Sequence, residues 1–133
     1  MSIVYKENIP CANELYQLYN SERWNDFLQL SKETLHQAMV NSWYVLNAYE
    51  TNELIATGRV ISDGCTIALI SGLLVHPQYR NKGIGTEIMH RLILKCQISQ
   101  LTIQLFATDD LVSYYNHLGF QPFSNGLMYT LRR

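Results

Sequence analysis

Apolar positions recur along this chain with two different periods, and the switches between them outline a fold. From Ala12 to Tyr19, the residues Leu15, Leu18 and Tyr19 fall at helical spacing and predict a first helix. Ser31 stands where its hydroxyl can cap a second helix, running through Thr34, Leu35, Ala38 and Met39. The link between them, Ser21-Glu22-Arg23-Trp24-Asn25, is polar around one large aromatic. Strand patterning then takes over. Trp43 to Tyr49 is rich in aromatic and β-branched residues, Thr51-Asn52-Glu53 reads as a hairpin turn, and Leu54 to Ile61 returns. Asp63-Gly64 signals a second tight turn. Thr66 to Val75 is an almost continuous apolar run, which predicts a central strand buried on both faces. Gly72 inside that run predicts a bulge or a close backbone approach.

Helical spacing resumes with Ile84, Ile88, Met89, Leu92, Ile93 and Cys96, so a helix is expected from about Gly83. Leu101 to Phe106 predicts another strand. Asp109 or Asp110 can start a further helix that ends near Leu118, with Gly119 suited to the left-handed cap behind it. Met128 to Leu131 predicts a last short strand. Helices, an antiparallel meander and then strand–helix–strand–helix–strand make an α+β fold around one mixed central sheet. The expected organisation is a single domain over residues 1–133.

Composition narrows the chemistry. With 47% hydrophobic residues and no low-complexity stretch, the chain can build a real core, so disorder is excluded as its basis of action. A formal net charge of -1 supplies no field to draw in nucleic acid, so any anion site must be local. Cys11, Cys65 and Cys96 are widely spaced and odd in number, which argues against a disulfide framework or a metal centre. The first residues lack a signal-peptide pattern, and Ile67 to Val75 is too short to span a bilayer. A cytoplasmic protein without membrane contact is the expectation.

The most informative stretch is Ile70 to Met89, ISGLLVHPQYRNKGIGTEIM. It joins an apolar strand, a proline stop, a loop with two glycines and an amphipathic helix. A helix start presents unpaired N–H groups and the positive end of the helix dipole. Gly83 and Gly85 allow an anion to approach the backbone closely, and Arg80 and Lys82 add local positive charge. The pattern predicts a phosphate or pyrophosphate site. No Lys-Ser/Thr follows the second glycine, which excludes a P-loop, and the GxGxxG of a dinucleotide fold is absent.

Two segments resemble the GNAT superfamily of acyl-CoA N-acyltransferases. Arg80-Asn81-Lys82-Gly83-Ile84-Gly85, preceded by Leu73-Leu74-Val75-His76-Pro77, is similar to that family's R/Q-x-x-G-x-G/A pyrophosphate loop and the strand before it. Tyr114-Tyr115-Asn116-His117-Leu118-Gly119-Phe120 is similar to its aromatic-Tyr-x-x-x-Gly-Phe motif. The resemblance implies splayed central strands with a pantetheine arm between them, bonded by backbone groups of Leu73, Leu74 and Val75. It implies that Arg80, Asn81, Lys82, Gly83, Ile84, Gly85 and Thr86 hold the pyrophosphate of acetyl-CoA, with no metal. It implies that Tyr115 is the general acid that protonates the departing thiolate, and Tyr114 a packing residue. The reaction implied is direct attack by a primary amine, of a small molecule or a peptide, in a ternary complex. A homodimer is compatible with the family.

The chain departs from the family pattern at two places. Gly72 stands where an Asp is expected in a subgroup with a similar hairpin, so the general base is left open among Asp63, His76, a water chain or no protein group. Thr108 replaces a common Asn. Asp109 and Asp110 read as a solvated helix start. Trp24, Asn25 and Arg59 are candidates for the acceptor side, each with an equal reading as core cover or surface charge. The competing functional reading is a non-catalytic acyl-CoA-binding domain, and a further one is an interaction module whose glycine loop binds nothing.

Overall fold

The computed structural model describes residues 2–130. The chain runs β1 (Ile3–Lys6), α1 (Ala12–Ser21), α2 (Lys32–Val40), β2 (Tyr44–Glu50), β3 (Glu53–Ser62), β4 (Ile67–Val75), α3 (Ile84–Ile98), β5 (Thr102–Gln104) and α4 (Val112–His117). A short 3₁₀ turn, Pro77–Tyr79, separates β4 from the loop before α3, and another, Asp109–Leu111, leads into α4. The strands lie in sequence order, β1-β2-β3-β4-β5. The first four are antiparallel neighbours, and β5 joins β4 in parallel after the α3 crossover. The expected mixed α+β architecture is the one observed.

Local chemistry sets the boundaries. Ser31 caps α2, its Oγ accepting the Thr34 N–H at 3.2 Å. Thr51 and Asn52 both take positive φ, 47° and 65°, the geometry that lets a two-residue hairpin follow the twist of β2 and β3. At the next turn the Asp63 carboxylate accepts the backbone N–H groups of Cys65 and Thr66 and the Thr66 hydroxyl. These bonds favour its ionised form and hold its pKa down at about 2. Asp63 is therefore a turn residue.

Two apolar layers enclose the sheet. On one face α3 packs Ile88, Met89, Leu92 and Cys96 onto Leu46, Ala56, Val60, Ala68 and Ile70. On the other, Leu15, Leu18 and Tyr19 of α1 and Leu35 and Met39 of α2 cover Val45, Tyr49, Leu54 and Leu74. After an exposed Ile67, residues along β4 alternate between buried and half-buried, so the strand is central, yet only every second side chain is sealed.

Three elements differ from the sequence expectation. β1 was not legible: four residues give too short an alternation, and the strand exists because it pairs with β2 more than 40 positions later, Ile3 opposite Glu50. The strand expected at Leu101 to Phe106 shrinks to Thr102–Gln104, because β4 offers only Ile67 to Leu69 as partners. The strand expected at Met128 to Leu131 is not formed over Met128–Thr130, which have no neighbouring strand to bond; Leu131 lies outside the described residues.

Candidate active site

The site forms where two strands part. Pairing between β4 and β5 stops at Leu69 opposite Gln104, while β4 runs on to Val75. Leu73, Leu74 and Val75 therefore keep β3 on one side and have no strand on the other. Backbone amides on that open side can bond an extended ligand as a further strand would.

The loop after the 3₁₀ turn closes one end of this opening. Asn81 and Gly83 both adopt left-handed backbone, φ 61° and 80°. A Cβ built on Gly83 would meet nothing within 4 Å, so the approach to the backbone is open there. Gly83 is the N-cap of α3 and offers no side chain to bond the first amides. The first helical bond runs from Glu87 N–H to Gly83 C=O, which leaves the N–H groups of Ile84, Gly85 and Thr86 without intrahelical acceptors. Left-handed residues at Asn81 and Gly83 ahead of a 15-residue helix make the kind of turn-and-helix start whose N–H groups can bind an anion. The arrangement fits a phosphate or pyrophosphate. Ile84 is buried and anchors the helix, so only its backbone faces the loop. Gly85 brings α3 against β4, with its Cβ position 3.3 Å from Val75 Cγ2.

The other predicted residues fall around this frame. Lys82 Nζ lies over the Tyr79 ring, 5.5 Å from its centroid. The Arg80 guanidinium is tied to the Glu22 carboxylate at the end of α1, and that bond raises its pKa further. Glu22 has its other oxygen, Oε1, buried and unpartnered. No local signal marks Glu22, because its partner is 58 positions away.

α4 contributes two adjacent tyrosines in opposite settings. Tyr115 is half-buried, packs on the core and meets Phe120 edge-on at 6.0 Å. Burial, followed by the neighbouring Tyr114, pushes its pKa up, so the hydroxyl stays protonated at neutral pH. Tyr114, expected to pack, is instead 36% exposed, and its hydroxyl bonds Thr86 Oγ1 at 2.8 Å. That bond fastens α4 to the first turn of α3. The reason is helix geometry: adjacent residues point about 100° apart, and the sheet takes Tyr115.

The base and acceptor candidates separate clearly. His76 caps the 3₁₀ turn, its Nδ1 accepting the Gln78 N–H at 3.1 Å. Asp110 accepts the Thr108 hydroxyl at the start of the second 3₁₀ turn. Asn25 is buried and clamps the Leu30 backbone through both its amide atoms. Trp24 is exposed and meets Tyr19 edge-on at 5.8 Å. Arg59 is not a plain surface charge: its Nη1 donates to Ser42 Oγ, and its Nε is buried without a partner. It faces the β4 bulge, where Gly72 has φ 65° and a Cβ would stand 2.8 Å from the Tyr19 hydroxyl and 3.6 Å from Arg59 Nε. The bulge and the close approach foreseen for Gly72 are both present, the pairing with β3 shifting between Thr57 and Arg59. No group of His, Cys, Asp and Glu suited to a metal ion occurs among the described residues.

Residues 11–127 match the acetyltransferase (GNAT) domain family. The chain belongs to this family. An uncharacterised N-acetyltransferase of Porphyra purpurea is 31% identical over 124 residues, covering 88% of this chain and 70% of that protein. Among solved structures, a GNAT-family acetyltransferase of Streptococcus pneumoniae superposes with a TM-score of 0.78 at 21% identity, covering 99% of this chain and all of that one. A predicted acetyltransferase of Clostridium acetobutylicum, solved with acetyl-CoA, gives 0.71 at 19% identity, over 97% and 96% of the two chains. The protein is thus an acetyl-CoA-dependent N-acetyltransferase by family, with the mixed sheet of its structural neighbours.

Proposed function

We propose that the chain moves an acetyl group from acetyl-CoA to a primary amine by direct attack in a ternary complex, with Tyr115 as general acid. The observation that carries this reading is the cradle before α3, where left-handed Asn81 and Gly83 and unpaired first-turn amides meet the open side of β4. Backbone N–H groups of Ile84, Gly85 and Thr86 hold the pyrophosphate, with Lys82 adding charge. The Arg80 side chain fixes the loop through Glu22 and adds its positive charge beside it. Backbone groups of Leu73, Leu74 and Val75 line the pantetheine arm. Acetyl-CoA supplies the thioester; the free-base amine forms the new C–N bond, the C–S bond breaks, the extra proton on nitrogen passes to solvent, and solvent returns a proton to the Tyr115 phenolate after it has protonated the sulfur. Tyr115 gives its phenolic proton to the departing sulfur, a role supported by its protonated state.

The acceptor belongs to the side of β4 where Tyr19 and Arg59 face Gly72 and Trp24 meets the Tyr19 ring. Among relatives, a protein of Glycine max is named a histone acetyltransferase, 35% identical over 81 residues that make up 34% of it. Two Arabidopsis thaliana relatives are named chloroplastic. No helix among the described residues is long and apolar enough to cross a membrane. The test is thiol release from acetyl-CoA across a panel of small amines and amino-terminal peptides, with wild type beside Tyr115→Phe. Turnover that needs the phenol, with acetyl-CoA binding unchanged, supports the proposal. Equal turnover in both proteins removes Tyr115 from the chemistry.

A further inference from the structure

We propose that Arg59 selects the acceptor, a small primary amine that also carries an anionic group, carboxylate or phosphate, which pairs with the Arg59 guanidinium. The inference rests on the acetyl transfer proposed above and adds a substrate class to it. Arg59 lies on β3 opposite Ser71 of β4, next to the Gly72 bulge and just ahead of Leu73, where the stretch assigned to the pantetheine arm begins. Its partner on the other side is Val45, part of the layer covered by α1 and α2. Residues opposite each other in a sheet share a face, so Arg59 points toward the helices rather than toward α3.

The charge of Arg59 has no counterpart there. Its Nη1 donates to Ser42 Oγ at 3.2 Å, and that hydroxyl gives its own proton to Ala38 C=O, so Ser42 supplies a lone pair and no charge. Arg59 Nε is buried with no acceptor at all. None of the ion pairs among the described residues includes Arg59. The carboxylates of the neighbouring elements are engaged elsewhere: Glu14 accepts the Leu54 N–H, Glu22 holds Arg80, and Asp26 holds Arg23. Glu22 Oε1, also buried without a partner, belongs to a carboxylate that Arg80 already neutralises, which leaves Arg59 as the uncompensated charge. Across from it, Gly72 contributes no side chain, and the Tyr19 hydroxyl lies on the same side of the bulge. Burial pushes the Tyr19 pKa up and the Arg59 charge only partly offsets this, so the hydroxyl stays a protonated donor beside the guanidinium. A half-buried guanidinium with an unmet donor loses free energy that an anion restores, and its planar fork suits the paired oxygens of a carboxylate or phosphate.

Calorimetry in the presence of coenzyme A reads this pairing without turnover. The probes are matched amines that differ in charge: α-amino acids against their amides, and phosphoethanolamine against ethanolamine. Wild type is expected to bind the anionic member of one pair ~10-fold or more tightly, the worth of a hydrogen bond to a charged group. The pair that responds distinguishes carboxylate from phosphate. Arg59→Met should abolish the preference and leave the neutral amines unchanged. Arg59→Lys keeps the charge without the fork and should keep part of the preference. Far-UV circular dichroism checks that both variants are folded. Equal binding of charged and neutral members by wild type, binding of none of these amines, or a preference that survives Arg59→Met overturns the proposal. Thiol release from acetyl-CoA with the same probes separates it from the function itself. Turnover with no preference for the anion removes only the acceptor class, whereas anion-selective binding without turnover counts against acetyl transfer and leaves the Arg59 site standing.

Discussion

The two flanks of β4 use similar residues to opposite ends. On the meander side, Leu46, Ile55, Val60, Ile88 and Leu92 are sealed between sheet and helices. On the β5 side, Phe106, Phe123, Leu127 and Tyr129 are equally apolar and lie largely in solvent. Residue type does not decide the difference. β2 and β3 have partners on both sides and a helix layer over each face, whereas β5 has one partner among the described residues and residues 120–130 form no element. Burial follows from the partners an element finds, and function sits where partners run out. Both the open side of β4 and the start of α3 are places where backbone groups lack intramolecular mates.

Several substitutions can break or sharpen this contrast. The largest effect is expected at the sealed flank. Leu92→Ala empties a fully buried site against the sheet and should cost ~2–5 kcal/mol in urea unfolding. Next is Tyr115→Phe, which removes one proton donor and should lower turnover by ~10²-fold or more, with acetyl-CoA affinity retained in calorimetry. Ser31→Ala removes the α2 cap and should cost about 1 kcal/mol in the same unfolding assay. The smallest effect belongs to Leu94→Ala. This residue lies on α3 only two positions from Leu92 but is 57% exposed, and its change should stay within about 0.5 kcal/mol. Equal losses at Leu92 and Leu94 would show that the two faces of α3 are not distinguished as described.

What could be read from the sequence was local. The stretch Ile70–Met89 holds strand, stop, glycine loop and helix in one contiguous run, so the cradle was legible before any contact was known. The Ser31 cap and the left-handed Gly119 were legible for the same reason, since each is fixed by neighbours a few residues away. The remainder depended on distant partners. The Glu22–Arg80 pair spans 58 positions and the Thr86–Tyr114 bond 28, and neither residue type nor spacing announces them. The strand expected at Met128 to Leu131 has the right apolar residues, but a strand needs a neighbour, and within one copy there is none at Met128–Thr130. Tyr114 and Tyr115 are the same residue one step apart, so only the packing of α4 could say which of them turns inward.

The most direct test of the account is calorimetric titration of acetyl-CoA into wild type and into Gly83→Asp. Aspartate tolerates the left-handed backbone at this position better than most residues, so the fold should persist, while its carboxylate sits where the pyrophosphate belongs. The account predicts saturable binding by wild type and a loss of ~10²-fold or more in the variant, about 2.7 kcal/mol. Equal affinity in the two folded proteins would contradict it and move the cofactor away from the start of α3.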